Sequence, residues 1–174
     1  MRISLAVLMF LGASACAGTN AGTQSARCAS EAHRQMDFLV GAWDTAYART
    51  PERPAGRDVY ALSLDGCALM EHWTSPDGRE IGMSVNAYDR SAGVWRYVFT
   101  DSVGAWTQMD GVWDGAVFRY EGEAADRSSG GLTRIRARME LAPMADGRVQ
   151  QTYFTQSEAG DWAPRYQVVM TRRD

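Results

Sequence analysis

Lysine is absent from this chain, so all eighteen basic residues are arginine. Without a side-chain amine, Schiff-base catalysis and a pyridoxal-type linkage are excluded. Histidine is nearly absent too, with only His33 and His72, and the cysteines stop at Cys16, Cys28 and Cys67. Side chains this few and this scattered form no zinc-binding spacing, so neither a metal site nor a cofactor is expected. An excess of positive charge is also missing. The formal net charge is -3, which gives no general attraction to nucleic acid. The most apolar run, Ile3 to Gly12, is too short for a transmembrane helix.

That run nevertheless has a recognisable setting. Arg2 precedes it, and Ala13-Ser14-Ala15 follows as a small-residue cleavage pattern. Residues 1–15 are predicted to be a secretion signal. Small residues running directly into Cys16 resemble a bacterial lipoprotein box, which would make Cys16 the lipidated first residue. Cleavage near Ala15 without lipid is the alternative. Residues 16–29 are small and polar and read as a tether, leaving 30–174 as one domain. The expected location is exported, periplasmic or envelope-anchored, with membrane contact only through lipid on Cys16. With Cys16 so used, an oxidising compartment favours a Cys28–Cys67 disulfide over two free buried thiols.

One short helix is predicted from Ser30 as N-cap to about Phe38. Beyond it the period is two. Asp-Gly pairs, which accommodate tight turns, occur at Asp65, Asp77, Asp110, Asp114 and Asp146. Between them lie β-rich runs near Gly41–Ala48, Val59–Leu64, Ala68–Ser75, Gly82–Asp89, Val94–Asp101, Trp106–Asp110, Val117–Glu123, Thr133–Leu141, Val149–Ser157 and Arg165–Arg172. The stretches Arg49–Asp58 and Ala125–Leu132 read as loops. Short strands at hairpin spacing predict an all-β meander that closes on itself or forms a sandwich.

Alternation assigns faces. Leu69 and Trp73 point the odd side of their strand inward and carry Glu71 with them. The next strand sets Gly82, Ser84, Asn86 and Tyr88 on one side and Ile81, Met83, Val85 and Ala87 on the other. A further strand aligns Trp95, Tyr97, Phe99 and Asp101. An interior carboxylate must be paired or protonated, and Arg134 is a possible partner for Glu71. Arg134, Arg136 and Arg138 also suit a solvated outer face paired with Glu121 and Glu123.

Several segments together resemble a known family. Phe38-Leu39-Val40-Gly41-Ala42-Trp43 is similar to the Gly-x-Trp start of lipocalin-like barrels. Gly66-Cys67-Ala68-Leu69-Met70-Glu71-His72-Trp73 resembles a Gly-Cys-x-x-x-Glu-x-Trp run, and Gly82 to Asp89 a Gly-x-Ser-x-Asn-x-Tyr-Asp strand. Gly93-Val94-Trp95 and Asp101 follow, and Arg134, Gln151, Trp162 and Arg172 fall where that pattern has similar residues. The resemblance is to a domain-of-unknown-function family of secreted bacterial proteins with a lipocalin-like (calycin) barrel, from about Cys28 to the C-terminus. It implies an antiparallel up-and-down barrel of about 8–10 strands with one short N-terminal helix, and an interior cavity. Nitrobindin-type barrels share the Gly-x-Trp start but hold haem through a His near the C-terminal end. This chain has no histidine after His72, so haem is not expected.

The functional expectation is a binding module holding a small, largely apolar molecule. Glu71, Trp73, Asn86, Tyr88, Trp95, Asp101 and Arg134 are its candidate ligand contacts. Two alternatives remain. One is a barrel-type isomerase, cyclase or hydrolase working through Glu71; the other is an envelope interaction protein with a filled barrel. No catalytic residue and no protein partner can be named from the sequence.

Overall fold

A computed structural model of the protein describes residues 27–127 and 130–173. The predicted signal peptide, Cys16 and most of the tether lie outside the described residues. Ten strands follow one another: β1 (Gly41–Tyr47), β2 (Thr50–Ser63), β3 (Ala68–Thr74), β4 (Ile81–Asp89), β5 (Val94–Asp101), β6 (Trp106–Trp113), β7 (Phe118–Asp126), β8 (Thr133–Pro143), β9 (Val149–Gln156) and β10 (Trp162–Arg172). Each pairs antiparallel with the next, and β10 returns to β1 in the register Trp43 with Arg172 and Tyr47 with Val168. The sheet is therefore a closed up-and-down barrel with no free edge, as the lipocalin-like pattern required.

Three local expectations are corrected. Asp110-Gly111 does not turn; it lies inside β6, which continues to Trp113. Glycine is needed at 111 for close approach, because a Cβ there would sit 2.3 Å from Cε1 of Tyr120. The other four Asp-Gly pairs do fall between strands, each with its glycine at positive φ. The second correction is the predicted loop Arg49–Asp58, nearly all of which belongs to β2. The β1–β2 register shifts between Thr45 and Tyr47, so Pro51 and Pro54 sit where the ladder is already irregular. Likewise Ala125 and Asp126 close β7 rather than opening a loop.

One end of the barrel is plugged. Ser30 precedes a helical turn, α1 (Glu31–Arg34), and a 3₁₀ turn follows at Asp37–Leu39. Met36 and Leu39 enter the barrel and are almost fully buried with Trp43, Phe118 and Tyr120. The Trp43 indole N–H donates to the Leu39 carbonyl at 2.6 Å, and that of Trp95 to Gln35 at 3.1 Å. Arg172 donates to the carbonyls of Val40 (2.7 Å) and Phe38 (3.2 Å) while its guanidinium lies 4.3 Å above the Trp43 ring. A Cys28–Cys67 disulfide ties the start of the plug to the turn before β3. The opposite end, where β1 meets β2, β5 meets β6 and β7 meets β8, has no such plug among the described residues.

Candidate functional site

The half of the barrel away from the plug is hollow, with a cavity of about 610 Å³. Such a volume suits a drug-sized molecule. Its floor is built by β2, β3 and β4. Alternation turns Asp58 and Tyr60 of β2, Glu71 of β3 and Ser84 and Asn86 of β4 inward, and all five are buried. Polar residues occupy the inner side of β4 because Glu71 needs donors. The aliphatic side of that strand, Ile81, Met83 and Val85, faces out and is exposed.

Glu71 is held by two hydroxyls. Tyr60 donates to Oε1 at 2.8 Å and Ser84 to Oε2 at 2.5 Å. Asn86 steadies Ser84, donating to its Oγ at 3.1 Å, and Tyr120 in turn donates to Asn86 Oδ1 at 2.8 Å. On the other side Thr45 donates to Oδ2 of Asp58 at 2.5 Å, and Asp58 lies beside Glu71 on the neighbouring strand. Burial, and then the neighbouring charge of Glu71, push the Asp58 carboxyl up to about 8. Asp58 is thus a neutral acid at pH 7, lying beside Glu71 at the floor. Burial and the Glu71 charge also push the phenols of Tyr97 and Tyr120 well above their usual range, which keeps them neutral donors.

Above the floor the wall mixes aromatic rings, Trp73, Tyr97, Phe99 and Tyr153 among them, with aliphatic side chains such as Ile135, Met139 and Val168 and the polar Thr107 and Gln151. Gly56 makes room for Trp73, since a Cβ there would lie 2.2 Å from the indole nitrogen. The mouth carries ion pairs. Arg127 bridges Glu80 at 2.8 Å and Asp101, whose carboxylate also accepts the backbone N–H groups of Val103 and Ala105. Arg165 pairs with Asp126 at 3.0 Å, and a register shift in β10 turns both Arg165 and Tyr166 toward the opening. Among the described residues no group of three or more His, Cys, Asp or Glu side chains is arranged for a metal ion.

The structure separates the predicted contacts. Glu71, Trp73 and Asp101 line the cavity. Asn86 is buried behind the floor and reaches Glu71 only through Ser84. Tyr88 and Trp95 lie at the plugged end, where Tyr88 packs edge-on against His33 with centroids 5.3 Å apart and Trp95 bonds Gln35. Arg134 does not pair with Glu71. It stands on the outer face, 2.8 Å from Glu123, beside the equivalent Arg138–Glu121 pair at 2.8 Å. The residue that answers Glu71 is Asp58. Its signal was its place two residues before Tyr60, on the same side of the strand.

Searches against protein-family models and curated proteins find no match. Among solved structures, sixteen chains match. One is the crystal structure of Rv2717c from M. tuberculosis, 16% identical, covering 83% of this chain and 99% of that one with a TM-score of 0.50. The likeness is one of fold alone. It places the barrel beside a solved example and leaves the function to be argued from the cavity.

Proposed function

We propose that the protein is an exported small-molecule binding module, tethered through lipid on Cys16, whose ligand occupies the hollow half of the barrel. The observation that carries the reading is the cavity of about 610 Å³ with a partly aromatic wall and a polar floor. A filled envelope protein would have no reason to leave this half unpacked, since empty space in a core is destabilising. The ligand has an apolar body that lies along Trp73, Phe99 and Tyr153 and a polar inner end that meets Asp58 and Glu71. Export is supported by the Cys28–Cys67 disulfide, which persists in oxidising compartments.

Titration with prodan, an uncharged polarity-sensitive naphthalene dye, tests the cavity. Saturable one-to-one binding with blue-shifted emission is expected, and Thr107→Trp, which fills the cavity, should abolish it. Unsaturable emission, or binding that survives Thr107→Trp, would refute the assignment. Mass spectrometry of the mature N-terminus tests the tether separately, with a diacylglyceryl mass on Cys16 expected.

A catalytic reading has one specific observation behind it. Asp58 is a neutral acid beside the carboxylate Glu71, the pairing that acid–base catalysts use. It predicts that Asp58→Asn and Glu71→Gln each remove turnover of a bound substrate without releasing it.

A further inference from the structure

We propose that the ligand's inner end is a protonated amine, seated on the Asp58–Glu71 pair and flanked by the aromatic rings of the wall. This rests on the reading of the cavity as a ligand site and names the class of ligand.

Hydrogen-bond accounting comes first. The hydroxyls of Thr45, Tyr60 and Ser84 all donate into the two carboxyl groups, and the Asn86 amide donates to Ser84 and to the Leu69 carbonyl. The donors touching the pair are therefore spent. What remains is acceptor capacity, because each carboxylate oxygen has a second lone pair. A ligand group placed there must bring N–H or O–H protons. A carboxylate or phosphate brings only more lone pairs and a repelling charge.

Charge points the same way. Asp58, Glu71, Asp101 and Asp126 contribute acid groups to the cavity wall, against Arg127 and Arg165. Both arginines stand at the mouth and are paired, Arg127 with Glu80 and Asp101, Arg165 with Asp126. Among the described residues no cation reaches the floor, and the charge there is met by hydroxyls. A buried charge met by hydroxyls alone is incompletely compensated, and an ammonium ion supplies both the missing charge and three donors.

The wall completes the argument. Ring faces attract cations through their quadrupole, and Trp73, Tyr97, Phe99 and Tyr153 surround the space above the acids. Tyr97 packs against Tyr120 with centroids 5.2 Å apart and the rings tilted by 40°, which fixes this wall ring in place. Aromatic rings lining a space that also holds a carboxylate favour a cation with an apolar body over a neutral molecule of the same shape.

Three indoles with matched chains test this on the folded mature protein by calorimetry at pH 7: tryptamine, tryptophol and indole-3-propionate. Tryptamine should bind about tenfold or more tighter than tryptophol, the scale of a charge-assisted bond against a neutral one, and indole-3-propionate weakest. Glu71→Gln keeps an acceptor for Tyr60 and should erase the preference for tryptamine over tryptophol. Asp58→Asn, which keeps both the shape and the neutrality of the acid, is the second variant and should leave the preference for tryptamine in place. Equal binding of tryptamine and tryptophol overturns the amine and leaves the cavity as a ligand site. Binding of prodan but of none of the indoles does the same. If neither prodan nor any indole binds, both readings fall.

Discussion

At the scale of single residues the decisive pair is Asp58 and Glu71, and its physics gives a pH signature. Thr45, Tyr60 and Glu71 are the polar groups facing the Asp58 carboxyl. In the unfolded chain that carboxyl titrates near 3.8; in the barrel it is raised to about 8 by burial and by Glu71. Between those values the folded protein holds a proton that the unfolded chain has released. The folded state is therefore favoured below pH 4 and loses this advantage as pH rises toward 8, on the order of a few kcal/mol in all. Asp58→Asn has no proton to lose. Thermal unfolding of both proteins should show the variant gaining on the wild type between pH 4.5 and pH 8, and parallel curves would show that Asp58 titrates normally. Half of this pair was legible in the sequence. Leu69 and Trp73 flank Glu71 at spacing two, so its inward direction followed from alternation. Asp58 is hidden because Pro51, Pro54 and Gly56 make the first part of β2 look like a loop, so the β-rich run legible in the sequence starts only at Val59, the residue after Asp58.

At the scale of elements the plug shows how little regular structure is needed to close a barrel. α1 has four residues and the 3₁₀ turn three, too few to hold a helix on their own. They are held by what they touch: the disulfide at one end, Met36 and Leu39 in the core, and Arg172 at the other end. A disulfide closing a loop of this length contributes on the order of 3–4 kcal/mol. Arg172 works through geometry, with two forked hydrogen bonds to Phe38 and Val40 and a guanidinium face on Trp43. Lysine is a point charge without that fork. Arg172→Ala should lower the urea-unfolding free energy by about 1–3 kcal/mol, and Arg172→Lys should recover only a minor part of it. Full recovery by lysine would mean that charge alone matters there. The strands themselves were readable wherever period two met an Asp-Gly turn. The reading failed where glycine served packing, as at Gly111 against Tyr120, and where proline entered a bulged ladder, as in β2. Composition does not distinguish these uses; only the partner strand does.

At the scale of the whole molecule one barrel contains two unlike halves. Toward the plug the interior is solid, with Trp43, Phe118, Leu141, Val149 and Met170 at or near zero exposure. Toward the mouth the same ten strands surround a cavity and end in ion pairs. Side chains that line a void forfeit contacts that packed side chains keep, so stability is unevenly spread along the barrel axis even though every strand runs through both halves. Closure keeps the mouth from fraying as a free sheet edge would, yet the inner faces of the strands there border a cavity instead of a filled core. Native-state hydrogen exchange should resolve this along single strands. In β5 the amide of Trp95, near the plug, should exchange only through global unfolding, while that of Thr100, near the mouth, should exchange through smaller openings. In β8 Leu141 should be slow and Ile135 faster. Equal protection from end to end would show that ring closure alone sets the stability of every strand. A rise at the mouth alone on adding tryptamine would show ligand filling the half that the sequence leaves unpacked.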